Sequence, residues 1–225
     1  MKDAILFDID GTLLYAKGLG RPAFAEAFAV AYGVPVDLES VSFVGATDTA
    51  IIRSLARTLG LDSTPEREER FFIELTKRLE PRLAANPLHI YPGVPDVLAR
   101  LSAEGFELGI VTGNIRAIAW AKLIHGGLAC HFSFGAYADD HADRDMLARL
   151  ACERANARGL RPRLLVGDTP KDIQAAHAAG LPCLALASGW VGREPLAEAG
   201  ADFILDSLGD VEAAFAAIRE ICRRG

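Results

Sequence analysis

Apolar and polar positions along this chain follow two different rhythms. From about residue 89 onward, short apolar runs alternate with stretches whose apolar residues recur at helical spacing. The runs at 108–112, 132–136, 164–167, 183–187 and 203–205 are short and largely apolar, so they predict strands buried on both faces. The stretches at 94–103, 115–124, 144–157, 173–179 and 196–199 predict amphipathic helices, and 211–221 closes the chain as another. Such strands alternating with helices predict an α/β fold, a doubly wound, Rossmann-like parallel sheet. The run at 4–7 joins that sheet by composition.

Residues 15–88 break the rhythm. They lack convincing strands and predict helices at 22–32, 49–59 and 66–83, with a turn near Leu38. Gly18 and Gly20 mark one edge of this block; Asn86-Pro87 and Tyr91-Pro92-Gly93 mark the other. The expected organisation is therefore a core of residues 1–14 and 89–225 with a helical cap domain, 15–88, inserted into it. Within the cap, the charged stretch 66–70 is expected to be a solvated helix face, with Arg53 and Arg57 facing solvent.

Composition narrows the partners. A chain of 225 residues suits one sizeable core with a smaller insertion. The net charge of -6 and the lack of a basic cluster argue against nucleic acid. No apolar run approaches membrane-spanning length, and the first apolar stretch ends at Asp8, unlike a signal peptide. Cys130, Cys152, Cys183 and Cys222 have neither paired nor zinc-like spacing and read as thiols of a reducing cytoplasm. The histidines show no metal-ligand spacing, and the adjacent Cys130 and His131 are expected to point to opposite faces.

Ligands of an open α/β sheet sit beyond the carboxyl ends of its strands, so the residues there are the ones to inspect. After the first strand come Asp8, Asp10 and Thr12. Residues two apart on an extended segment share a face, and Gly11 permits a turn, so both carboxylates can reach one centre. One can attack phosphorus while the other handles the proton; the plainer alternative is an Asp-Gly turn. The next strand end carries Thr112, Gly113 and Asn114, suited to phosphate at a helix N-terminus or to helix capping by Asn114. A third carries Gly167, Asp168, Thr169, Pro170 and Asp172. Asp8 and Asp168 can supply the one or two carboxylates that Mg²⁺ usually takes.

These segments carry a resemblance. Asp8-Ile9-Asp10-Gly11-Thr12-Leu13, Val111-Thr112-Gly113-Asn114 and Gly167-Asp168-Thr169-Pro170-Lys171-Asp172 resemble the first, second and fourth motifs of the haloacid dehalogenase-like hydrolases. Tyr91-Pro92-Gly93-Val94 resembles the return to the core in phosphoglycolate-phosphatase-like members. The resemblance implies a Mg²⁺-dependent phosphatase acting on a small phosphorylated metabolite. A cytoplasmic monomer or homodimer is expected, since the cysteines suit a reducing compartment and no long exposed apolar helix compels a dimer. The resemblance implies Asp8 as the nucleophile that becomes an aspartyl phosphate, and Asp10 as acid, then base. It also implies metal ligation by Asp8, Asp168 and the Asp10 backbone carbonyl, phosphate binding by Thr112, Gly113 and Asn114, and support from Asp172, Gly11 and Thr12.

The family's third motif is usually a lysine, and 134–144 contains none. Arg144 is the expected replacement, its alternative being a mere first-turn helix residue. Lys122 and Lys171 are fallbacks, Lys122 being expected at the surface in mid-helix. In the cap, Gly45-Ala46-Thr47-Asp48 resembles the family's turn before a helix facing the active site. The plainer alternative is that Thr47 or Asp48 caps that helix, and for Asp48 capping is the expected role. Asp10 counts against dehalogenation, and Lys17 and Lys77 lie in no motif of the phosphonate-cleaving relatives. A sugar-phosphate mutase is the alternative enzyme, though its usual cap motif is not found; a weakly active phosphate-binding relative is the other alternative.

Overall fold

The run Ala4-Ile5-Leu6-Phe7 has no polar side chain to expose, and its four residues lie fully buried at the centre of a parallel sheet. The structure, a computed structural model, describes residues 1–224. Strand β1 (Lys2–Phe7) pairs on one side with β4 (Glu107–Val111), which pairs with β5 (Phe132–Ala136). On its other side it pairs with β6 (Leu160–Gly167), followed by β7 (Cys183–Leu186) and β8 (Phe203–Leu205). The order β5-β4-β1-β6-β7-β8 places the switch of chain direction at β1, flanked by β4 and β6. Three adjacent strand ends therefore meet at one place.

Helices cover both faces of the sheet. Helices α4 (Val94–Ala103), α5 (Arg116–His125) and α9 (Val211–Arg224) pack with Ile5, Phe7, Ile110 and Val166 on one face. Helices α6 (Arg144–Ala157), α7 (Pro170–Ala178) and α8 (Arg193–Glu198) pack with Ala4, Leu6, Val111 and Leu165 on the other. Alternate residues of β1 thus enter opposite layers, as the two-residue repeat of a strand requires. The expected strands are present. Strand β6 begins earlier than its apolar run because Leu160, Arg161 and Pro162 also pair with β1, the register shifting past Arg163 before Leu164.

Between Tyr15 and His89 lie α1 (Gly20–Tyr32), α2 (Asp48–Thr58) and α3 (Pro65–Ala85). Phe24 of α1 meets Phe71 of α3 edge to face at 4.7 Å, and Ile51, Ile52 and Leu75 join them in an apolar cluster. Ile115, Ile118 and Ala121 of the α5 segment belong to the same cluster, so the insertion packs directly over α5. Two features differ from expectation. Leu14–Tyr15 (β2) and His89–Ile90 (β3) form a short antiparallel ladder at the base of the insertion; strands of two residues leave no periodicity to read. Glu68, expected on a solvated face, is buried and held by Arg53 at 2.6 Å and by Ser63. Among the described residues, no helix is long and apolar enough to cross a membrane.

Candidate active site

The carboxyl ends of β1, β4 and β6 bring the three sequence motifs together. Asp8 follows β1 and is buried, its backbone N–H held by the carbonyl of Val166. One of its carboxylate oxygens lies 2.6 Å from Arg144 Nη2. Burial pushes the Asp8 carboxyl up to about 7; Arg144 opposes that rise, while Asp172 and Asp10 add to it. Asp168, beyond β6, is fully buried. It accepts hydrogen bonds from Thr12 Oγ1 at 3.2 Å and from the backbone N–H of Trp190 at 3.3 Å. Burial, with Asp172 and Asp8 as repelling neighbours, raises its carboxyl to about 8. Gly11 sits against it at φ +89°, and a Cβ there would fall 2.2 Å from Asp168 Oδ2. Glycine is demanded at this turn by both conformation and space.

Asp172 has a different place. Its two oxygens are filled by Arg144, through Nε and Nη2, and by the N–H and hydroxyl of Thr169, which caps α7. It is a support that fixes the guanidinium. Arg144 is buried at the start of α6 between Asp8 and Asp172. Burial disfavours its charge, but the two carboxylates override that and hold it above its ordinary value.

The second carboxylate of the first motif is served by a separate cation. Asp10 Oδ2 accepts from Asn114 Nδ2 and from Lys122 Nζ, both at 2.6 Å. Lys122 also donates to Asn114 Oδ1 at 2.7 Å, and Asn114 Nδ2 to Thr112 Oγ1 at 2.8 Å. The surface placement expected for Lys122 is therefore wrong. It is only 6% exposed and in mid-helix, on the α5 face that carries Ile115 and Ile118. Its flexible stem carries the ammonium up that face to the strand ends. Helix capping by Asn114 is not found either: Ile115 is the N-cap residue, and the N–H groups of Ile115 and Arg116 are taken by Asp48 and Asp139. Lys171, the other fallback, stays exposed and bonds Gln174.

Carboxyl oxygens of Asp8, Asp168 and Asp172 lie within 4.8 Å of one another. Around them and Asp10, four carboxylates face two cations, Arg144 and Lys122. The all-oxygen donors and the surplus of buried negative charge fit a hard divalent cation. With Asp172 filled by Arg144 and Thr169, the donors with room for one are Asp8 and Asp168.

Residues 5–186 match the family model of the haloacid dehalogenase-like hydrolases. The chain belongs to that family. It is 30% identical to a phosphoglycolate phosphatase of Rhodospirillum rubrum over 93% of this chain and 90% of that one. CbbY from Rhodobacter sphaeroides, solved with phosphate, superposes with a TM-score of 0.73 at 26% identity, over 94% of this chain and 96% of the other. A β-phosphoglucomutase from Clostridium difficile shares the fold, with a TM-score of 0.72 at 18% identity over 100% and 98% of the two chains. This hydrolase lies in the phosphoglycolate-phosphatase-like branch and is an enzyme of the phosphatase class.

In this hydrolase the insertion is fastened directly onto the Thr112 loop. A Cβ at Gly113 would lie 2.1 Å from the carbonyl oxygen of Ala46, so only glycine admits this approach. Asp48 N–H donates to the Gly113 carbonyl at 2.7 Å, and Thr49 Oγ1 to the Ala138 carbonyl at 2.6 Å. Thr47 caps α2 and also donates to Ala142. Of the two capping candidates it is Thr47 that caps α2, and the capping role expected for Asp48 is not found. The Asp48 side chain crosses to the N–H of Ile115 at 3.0 Å, because Thr47 already occupies the capping position. Removal from bulk water pushes its carboxyl up to about 7, against the pull of the Ile115 N–H and Lys122. Trp190, beyond β7, also reaches the site: its N–H holds Asp168 and its ring meets Tyr15 edge to face. No motif in the sequence singles it out.

Proposed function

We propose that this protein is a Mg²⁺-dependent phosphatase that hydrolyses a small phosphomonoester through an aspartyl phosphate on Asp8. The observation that carries this reading is the separate anchoring of Asp8 by Arg144 and Asp10 by Lys122 and Asn114 at one strand end. Two carboxylates held by different partners can take different roles at one phosphorus atom.

In the first half-reaction, Asp8 Oδ attacks phosphorus and a P–O bond to the substrate breaks. The departing alkoxide takes the proton carried by Asp10, giving the free alcohol and the acyl phosphate. In the second, Asp10 removes a proton from water, the oxygen attacks phosphorus, and Asp8 leaves as carboxylate with release of inorganic phosphate. Substrate phosphate entering beside Lys122 would compete for its ammonium, freeing Asp10 to carry the proton. Thr112, Gly113 and Asn114 line the phosphate end, and Arg144 keeps Asp8 aimed. Asp8, Asp168 and the Asp10 backbone carbonyl would hold Mg²⁺, which supplies charge neutralisation for phosphate oxygens. The insertion would act as the cap that keeps bulk water out.

The test is phosphate release from a panel of phosphomonoesters with Mg²⁺ or EDTA, for wild type and Asp8→Asn. Metal-dependent release should fall by at least about 10³-fold in the variant. Interconversion of a sugar phosphate without net phosphate release would instead assign the site to a mutase.

A further inference from the structure

A cavity of about 400 Å³ runs from Asp8 and Asp10 up beneath the three-helix insertion. Its lower end is the polar site already described. Its upper wall is mostly apolar, made by Phe24, Phe43, Val44, Ile51, Leu75 and Leu79 from α1, the loop before α2, α2 and α3, with the exposed Ser42 of that loop adding a single hydroxyl. Among the described lining residues the cations are Arg21, Lys122 and Arg144. Lys122 and Arg144 are bound to the carboxylates of the floor. Arg21 is exposed, donates to the carbonyls of Leu38 and Val41, and lies over the Phe43 ring at 4.7 Å. The ionisable acid on the wall above Asp10 is Asp48.

We propose that the alcohol released by this phosphatase is uncharged and predominantly apolar, of the size of one aromatic ring or a short aliphatic chain. The inference rests on the phosphatase reading above and adds the class of substrate. A leaving group bearing a carboxylate or second phosphate would enter beside Asp48, with Lys122 and Arg144 committed to the floor and the transferred phosphate. The remaining lining cation, Arg21, is solvent-exposed and turned to the Leu38 and Val41 carbonyls, so the anion would lose water for little gain. A polyhydroxylated sugar would leave several hydroxyls against Phe24, Ile51 and Leu75, each unpaired group weakening binding. An apolar group transfers favourably into the same wall. The volume admits one such group beside the phosphate.

The experiment is kcat/KM with Mg²⁺ for methyl, ethyl, propyl and butyl phosphate, phosphoglycolate and a hexose phosphate. The alkyl alcohols leave with similar basicity, so a trend along that series reports the cavity and not the chemistry. A rise of roughly fourfold per methylene is expected, with butyl phosphate at least about tenfold above phosphoglycolate. Preference for phosphoglycolate or the hexose phosphate by tenfold overturns the inference and leaves the phosphatase reading intact. Release from no member overturns both. Val44→Lys, at a position 43% exposed and therefore tolerant of change, places a cation on the wall. It should lower the butyl-to-phosphoglycolate ratio at least tenfold; an unchanged ratio removes the leaving group from this cavity.

Discussion

The floor of the cavity and its roof are built on opposite principles. On the floor, Asp8, Asp168, Asp172, Thr112, Thr12 and Arg144 are all buried, and each has a named hydrogen-bonding or ionic partner. In the roof, Phe24, Ile51, Leu75 and Leu79 present apolar surface that needs shape but no partner. The floor comes from the ends of adjacent parallel strands, whose register holds atoms within hydrogen-bonding distance. The roof comes from helices packed through side chains. The floor is therefore intolerant of single changes, and the roof is where substrate choice can vary without rebuilding the chemistry.

Within the floor, the two cations should separate cleanly, and Arg144→Ala should have the largest effect. It leaves Asp8 and Asp172 buried side by side without their shared counter-charge. Stripping one partner from a buried ionic group costs about 3–5 kcal/mol, so a large fall in Tm should accompany the loss of turnover. Lys122→Ala should be gentler on the fold, because Asp10 is partly exposed and keeps Asn114. Its expected signature is a loss of roughly 10²-fold in kcat/KM with Tm nearly unchanged. Equal thermal destabilisation by both variants, measured by calorimetry, would break the distinction between a sealed and an open end of the floor.

Much of the floor was legible because strand-end motifs are short, contiguous and chemically specific. Asp8, Asp10, Thr112, Asn114, Arg144 and Asp168 all meet at the strand ends. Lys122 is hidden from such a reading because a lysine in mid-helix ordinarily looks solvated, although its spacing from Ile115 and Ile118 places it on the buried face. Trp190 contributes through its backbone N–H, which side-chain identity does not advertise. The β2–β3 ladder is too short for any periodic signal. The roof's helices were evident from their apolar spacing. Which of their residues face the cavity depends on how the helices pack on α5, and that is a tertiary fact.

Floor and roof meet at Asp48, where the smallest effect is expected. Its carboxyl is raised to about 7, mainly by removal from bulk water, while an aspartate in the unfolded chain titrates near 4. A folded-state value above the unfolded one means that the folded protein holds the proton more tightly. Below pH ~4 both states are protonated and Asp48 contributes no pH dependence. Between about 4 and about 7 the unfolded state loses the proton first, so stability from this group declines as pH rises, and above about 7 the decline is complete. Asp48→Asn keeps a carbonyl oxygen for the Ile115 N–H and removes the titration. The variant should match wild type near pH 4 and exceed it at pH 8 by about 1 kcal/mol, or roughly 2–4 °C in Tm. The modest figure reflects a side chain still partly open to the cavity. A variant that is less stable at pH 8 would show that the ionised carboxylate itself, through Ile115 and Lys122, holds the roof onto the floor.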